Sequence, residues 1–197
     1  MRGWDNVCRV TTPGMLPLFI PTELCQTVGR DPQSTPVDVC LGDVYAALRD
    51  GGVSAPADAD TAGLKQVVAD AGGKGIELKV VVVPADPPID TPLRDVATEV
   101  GREFPGSTVL VISPIYAGTY STQFDRVTLE AGQDYAKIPG NPVLASRNFV
   151  DELVKPHFDW TLLTVVLVIG VALAAVGTRL LQVRARREAP EDAVAAD

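Results

Sequence analysis

A chain of 197 residues with a formal net charge of −8 has room for one domain of ordinary size and an appendage. The charge is unevenly placed: residues 1–159 hold 13 Lys and Arg against 21 Asp and Glu, residues 179–187 hold four Arg and no acid, and the last ten residues are acidic again. An acidic domain repels phosphate backbones, which disfavours nucleic acid as a partner, and one histidine (His157) with three cysteines in no CxxC spacing cannot build a zinc site.

Residues 1–35 contain seven Pro or Gly and little periodicity, so they are expected to be poorly structured. The apolar run Met15–Ile20 is interrupted by Pro17 and has neither a basic leader nor a small-residue cleavage site, so no conventional signal sequence is read there. Met15 is an alternative start to Met1. Cys25 and Cys40 could pair if the domain is exported, or remain free thiols, and the spacing does not decide between them.

From residue 36 the pattern becomes regular, and residues 36–156 are read as the folded domain. Thr35 as N-cap and Pro36 at the first helical position predict a helix with Val37, Cys40, Val44 and Leu48 in step, ended by Gly51-Gly52. Asp60 predicts the cap of a second helix through Leu64, Val67 and Ala71. Val80–Val83, an uninterrupted β-branched run, predicts a strand buried on both faces and stopped by Pro84. Thr91-Pro92 opens a third helix, and Thr108–Ser113 reads as a second buried strand. Strand, helix, strand is a βαβ unit, so the two strands are expected to be parallel with a right-handed connection. After a loop rich in Gly, Tyr and Ser, the alternation of Phe124–Glu130 suggests an antiparallel edge strand, and a last helix covers about 142–154. The fold class expected is α/β: a small three-layer domain with a mostly parallel central sheet, followed by one C-terminal transmembrane helix.

That helix is assigned to residues 157–181. Trp160–Thr178 holds nineteen residues with no charge and no proline, and at about 1.5 Å per residue it spans roughly 28 Å, close to a hydrocarbon core. Its polar residues are Thr161, Thr164 and Thr178, whose hydroxyls can bond back to helix carbonyls. Arg179, Arg184, Arg186 and Arg187 crowd one end, and the positive-inside bias then puts the tail (182–197, Arg-rich then acidic) in the cytoplasm and the domain outside the plasma membrane. A cytoplasmic domain is the rival arrangement. Gly170, Ala174 and Gly177 form a small-residue face through which two helices could pair as a homodimer.

Ligands in open parallel sheets bind at the carboxyl ends of the strands. Two segments leave those ends. Pro84–Asp90 offers Asp86 and Asp90, too few oxygens for a hard cation. Ser113–Ser121 offers Ser113, Tyr116, Thr119, Tyr120 and Ser121, a mixture of hydroxyls and aromatics suited to binding, with no base nearby to activate a nucleophile. No GxGxxG, P-loop or HExxH occurs, so no catalytic residue, metal ligand or cofactor is assigned. Asp86, Asp90, Tyr116, Thr119, Tyr120 and Ser121 are the candidate binding residues.

The stretches PADPPIDTPLRD and SPIYAGTYS, followed by the apolar helix and VGTRLLQVRARR, resemble an actinobacterial family of single-pass membrane proteins of unknown function, over about residues 36–187. The order of elements also resembles the TPM domain, a small α/β fold of cell-envelope proteins. The resemblance implies an envelope-associated interaction protein, and the reading adopted is a membrane-tethered, non-enzymatic binding module that docks an envelope or membrane protein. The alternatives it leaves are a weak metal-dependent, phosphatase-like hydrolase of TPM type and an adaptor on the cytoplasmic face.

Overall fold

The computed structural model describes residues 19–155 and 160–188. Cys8, the choice between Met1 and Met15, His157 and the acidic end of the tail lie outside the described residues. The chain divides into two compact units, one ending at Lys155 and the other beginning at Pro156.

In the first unit, β2 (Leu78–Val82) and β3 (Thr108–Ile112) run parallel, with Leu78 opposite Thr108 and Val82 opposite Ile112. The helix α4 (Thr91–Glu103) joins them, with Pro92 in its first turn, where a missing N–H removes no helical bond. All five residues of β3 are buried, as expected of a strand covered on both faces. Two further strands complete the sheet. β1 (Val53–Ser54) is parallel to β2, and β4 (Ala117–Tyr120) is antiparallel to β3, giving the order β1-β2-β3-β4.

Alternation along the strands sends side chains into two cores. Leu78, Val80, Val82, Leu110 and Ile112 face α3 (Thr61–Gly73), α5 (Arg126–Tyr135) and α6 (Pro142–Leu153), whose Leu64, Leu129 and Phe149 close that side. Val81, Val83, Val109 and Val111 face α2 (Val37–Gly51) and α4, with Val44, Leu48, Leu93 and Val96. Each such side chain, fully buried, contributes about 1.5–3 kcal/mol of transfer free energy. The three-layer, mostly parallel architecture is the one the sequence predicts. One topological detail is less usual. α3 connects β1 to β2 on one face while α4 connects β2 to β3 on the other, in a single direction across the sheet. The two crossovers therefore have opposite hands, and only one can follow the usual right-handed course.

Four local expectations change. Phe124–Glu130 is not an edge strand. Asp125 caps α5, its carboxylate accepting the Thr128 N–H at 2.8 Å, and Leu129, Gly132, Gln133 and Ala136 then fall on one buried helical face. Seven residues of apparent alternation fit either period, and the cap decides. The antiparallel strand is instead Ala117–Tyr120, inside the segment expected to be a loop. α2 begins at Val37 with Pro36 in the cap position and no side-chain cap, rather than being capped by Thr35. Before it, α1 (Leu24–Thr27) forms within the segment expected to be poorly structured, and Leu24 is wholly buried against the α2–α4 core. Cys25 and Cys40 are bonded, with their Cα atoms 4.9 Å apart, tying α1 to α2.

The second unit holds α7 (Trp160–Glu188), 29 residues long. Residues Leu162–Arg186 have the length and composition to cross a membrane, and an 18-residue stretch within them has a mean hydropathy of 2.2. Thr178 Oγ1 donates back to the Ala174 and Ala175 carbonyls at 3.0 and 2.9 Å, so its hydroxyl needs no partner in lipid. The helix continues past the apolar run through Arg184 and Arg186.

Candidate functional site

Pro84 ends β2, and the chain then turns over the carboxyl edge of the sheet. There Asp86 reaches to the neighbouring turn. Its Oδ1 accepts the Ser113 hydroxyl at 2.6 Å and the Ile115 N–H at 3.0 Å. Ser113 closes that turn: its N–H donates to the Tyr116 carbonyl at 2.9 Å and its Oγ accepts the Tyr116 N–H at 3.2 Å. One carboxylate thus fastens together the two segments that the βαβ argument places side by side. The Ser113 hydroxyl is occupied as both donor and acceptor and is buried. Asp90 occupies the cap position of α4 without a side-chain cap bond and is exposed. Among the described residues no group of three His, Cys, Asp or Glu could hold a metal ion.

The fastened loops carry two large apolar side chains into solvent, Ile89 at 58% and Ile115 at 51% exposure. At the same edge of the sheet a cleft of about 250 Å³ opens between the ends of β2 and β3 and the start of α6, lined by Pro84, Pro114 and Pro142 with Asp58 and Asn141 as polar groups. Sequence reasoning missed Ile89 and Ile115 because exposure cannot be read from apolarity. The chain leaves this unit at the other end. α6 starts at the cleft and runs away from it, and Asp151 near its end pairs with Lys74 just past the end of α3 at 2.8 Å.

The remaining candidates are carried off the edge by β4. Thr119 is opposite Leu110 and Tyr120 opposite Val109, at the amino end of β3, and Ser121 Oγ bonds Thr108 Oγ1 at 2.9 Å. Thr119 donates to the buried Gln133 Oε1 at 3.2 Å, and Ser121 accepts the Gln123 N–H at 3.0 Å to shape the turn into α5. Tyr116 and Tyr120 are half-buried and pack against the α2–α4 core. The Tyr120 ring lies over Gly101, where an added Cβ would sit 2.0 Å from a ring carbon. Next to it Glu130 bridges Arg126 at 2.7 Å and Arg94 at 3.5 Å. The hydrogen bond from Arg126 in particular holds the Glu130 carboxyl below its ordinary range. The structure therefore brings Asp86, Ser113 and Tyr116 together at the carboxyl edge and places Thr119, Tyr120 and Ser121 in a separate groove between α4 and α5.

No solved structure matches the chain at a significant level. Membrane protein Rv1476 of Mycobacterium tuberculosis (strain ATCC 25618 / H37Rv) is 54% identical over 164 residues, covering 83% of this chain and 87% of that protein. Residues 34–192 match the family described as Membrane protein Rv1476, a range that takes in the α/β unit from just before α2 and the whole of α7. The chain belongs to the Rv1476 membrane protein family.

Proposed function

We propose that this membrane protein is a tethered, non-enzymatic binding module whose carboxyl-edge loops dock an envelope or membrane protein. The observation that carries the reading is the Asp86 staple. It fastens the loop that carries Ile89 to the turn that carries Ile115, both exposed, at the end of the sheet opposite the point where the chain leaves for its anchor. Fixed apolar groups bury area at small entropic cost. A hydrolase of TPM type would use Asp86 and Asp90 with backbone oxygens, and the engagement of Asp86 by Ser113 and Ile115 favours the binding reading over a hydrolytic one. The Cys25–Cys40 bond favours an oxidising compartment, and with the Arg residues following the span it supports an extracytoplasmic domain and a cytoplasmic tail.

The test uses the full-length protein in its membrane, with a photoreactive side chain placed at Ile89, at Ile115, or at the exposed Asp70 on α3. Adducts with one partner at the first two positions and none at Asp70 are expected. Adducts at none of the three, or equally at all, overturn the site. Protease added to intact spheroplasts should digest the domain; protection would reverse the orientation alone.

A further inference from the structure

We infer that the far end of α7 is a lipid-binding site, at which Arg179, Arg184 and Arg186 hold the phosphates of anionic headgroups. The two units treat their cations differently. Of the eleven Lys and Arg at residues 19–155, ten are paired with a carboxylate. Arg179, Arg184 and Arg186 have no such pair among the described residues, and the sequence holds no acid from 160 to 187. Four Arg fall within residues 179–187, directly after the uncharged run. A basic cluster in that position is suited to anionic lipid.

Helix length sets the depth of these charges. α7 stays helical through the charged segment to Glu188. Leu162–Arg186 has 25 residues, about 37 Å at 1.5 Å per residue. That exceeds a hydrocarbon core of about 30 Å but not the roughly 40–45 Å that includes both headgroup layers. A span centred in the bilayer therefore leaves Arg184 and Arg186 level with the phosphates. Arg179, about two turns lower, extends its apolar stem up toward them, as long basic side chains near helix ends do. The arrangement around the helix favours lipid over a groove in a protein. At 3.6 residues per turn Arg179 and Arg186 share one side, and Arg184 lies about 140° away. Leu180, Leu181 and Val183 between them are exposed. A protein groove reads one face of a helix, whereas surrounding lipids meet every side. Guanidinium matches phosphate with paired hydrogen bonds, and an anionic headgroup carries no ammonium to cancel that attraction. The acids of the tail all follow the arginines, which puts them farther from the anionic surface. No residue here belongs to the carboxyl-edge site, so either can fail alone.

The experiment uses the full-length chain in vesicles of phosphatidylcholine and phosphatidylglycerol, with a spin-labelled copy of each lipid as the probe. The spin spectrum separates lipid held at the protein surface from lipid in bulk. At low salt phosphatidylglycerol is expected to be held about threefold or more over phosphatidylcholine. Arg179→Gln, Arg184→Gln and Arg186→Gln combined should bring the ratio to about one, with helix content by circular dichroism unchanged. Arg179→Lys, Arg184→Lys and Arg186→Lys combined should keep most of the preference, because the charge stays. The unmodified chain gives an arm free of substitutions. Between about 0.01 and 1 M salt the screening length falls from roughly 30 to 3 Å, and most of the preference should go. Soluble glycerol phosphate offers the same phosphate without a bilayer and should displace no lipid at matched ionic strength. Equal association of the two lipids at low salt, a ratio unmoved by the Gln substitutions or by salt, the same loss with Lys as with Gln, or displacement by glycerol phosphate overturns the proposal.

Discussion

Ser113–Tyr116 and Ala117–Ser121 adjoin in the chain and share a composition of hydroxyls, tyrosines and small residues, yet the fold uses them differently. The first four residues form a turn that stays at the carboxyl edge, held from outside by Asp86, with Ile115 in solvent. The next five turn back as β4 and are consumed by packing: Gly118 against the backbone of α4, Thr119 against Gln133, Tyr120 over Gly101. Presentation requires a segment whose polar groups are satisfied locally while a side chain is left over. Pairing with β3 satisfies the main chain of β4 but commits its side chains to both layers. Composition alone cannot separate these outcomes, because hydroxyls and aromatics serve either.

Mutations can break that contrast, beginning with the largest effect. Gly118→Val puts a side chain where an added Cβ already falls 2.4 Å from the Leu93 carbonyl carbon, and backbone cannot move aside cheaply. A loss of about 3 kcal/mol is expected from denaturant unfolding in detergent micelles. Tyr120→Ala removes a half-buried ring from the same contact and should cost about 2 kcal/mol. A cost near zero would mean that β4 presents its tyrosine after all. Asp86→Ala strips the staple, leaving the Ile115 N–H without its acceptor and the Ser113 hydroxyl with only the Tyr116 carbonyl at 3.3 Å, for about 1 kcal/mol. It should also weaken crosslinking from position 89, which Tyr120→Ala should not.

Smaller effects sharpen the comparison. The Glu130 carboxyl has a depressed folded-state pKa. The bridge to Arg126 and Arg94 therefore contributes above the ordinary carboxylate range and is lost as pH falls through the depressed value. Arg126→Ala should move the Glu130 titration, followed by NMR, back up toward that range with little change in stability at neutral pH. Ile89→Ser and Ile115→Ser should change stability by no more than about 0.5 kcal/mol while abolishing partner crosslinking. A larger drop would mean that these side chains are packed rather than presented.

The parts of the fold legible in the sequence share one property: their signal is local and long. Val80–Val83 is a β-branched run and Thr108–Ile112 a β-rich run around Leu110, each of which a doubly covered strand buries, and the helix between them starts at a Thr-Pro pair. The adjacency of the loops after these strands follows from parallel pairing. The Asp86 contact with Ser113, 27 residues away, needs that adjacency plus a side-chain direction, which no spacing encodes. The short elements failed for a related reason. β1 has two residues and β4 four, too few for a period, and each is a strand only because a neighbour offers a ladder.

The sequence by itself determined that this chain has an acidic three-layer α/β domain and one apolar helix long enough to span a bilayer. Hydrophobic periodicity and run length report burial and solvent directly. Tertiary structure alone decided that Cys25 meets Cys40, that Phe124–Glu130 winds onto an Asp125 cap, and that Tyr120 turns inward while Ile115 stays out. Each of these depends on which surface a segment meets once the sheet has formed. That is a property of distant residues brought together, such as the bare backbone of Gly101 that gives the Tyr120 ring its seat.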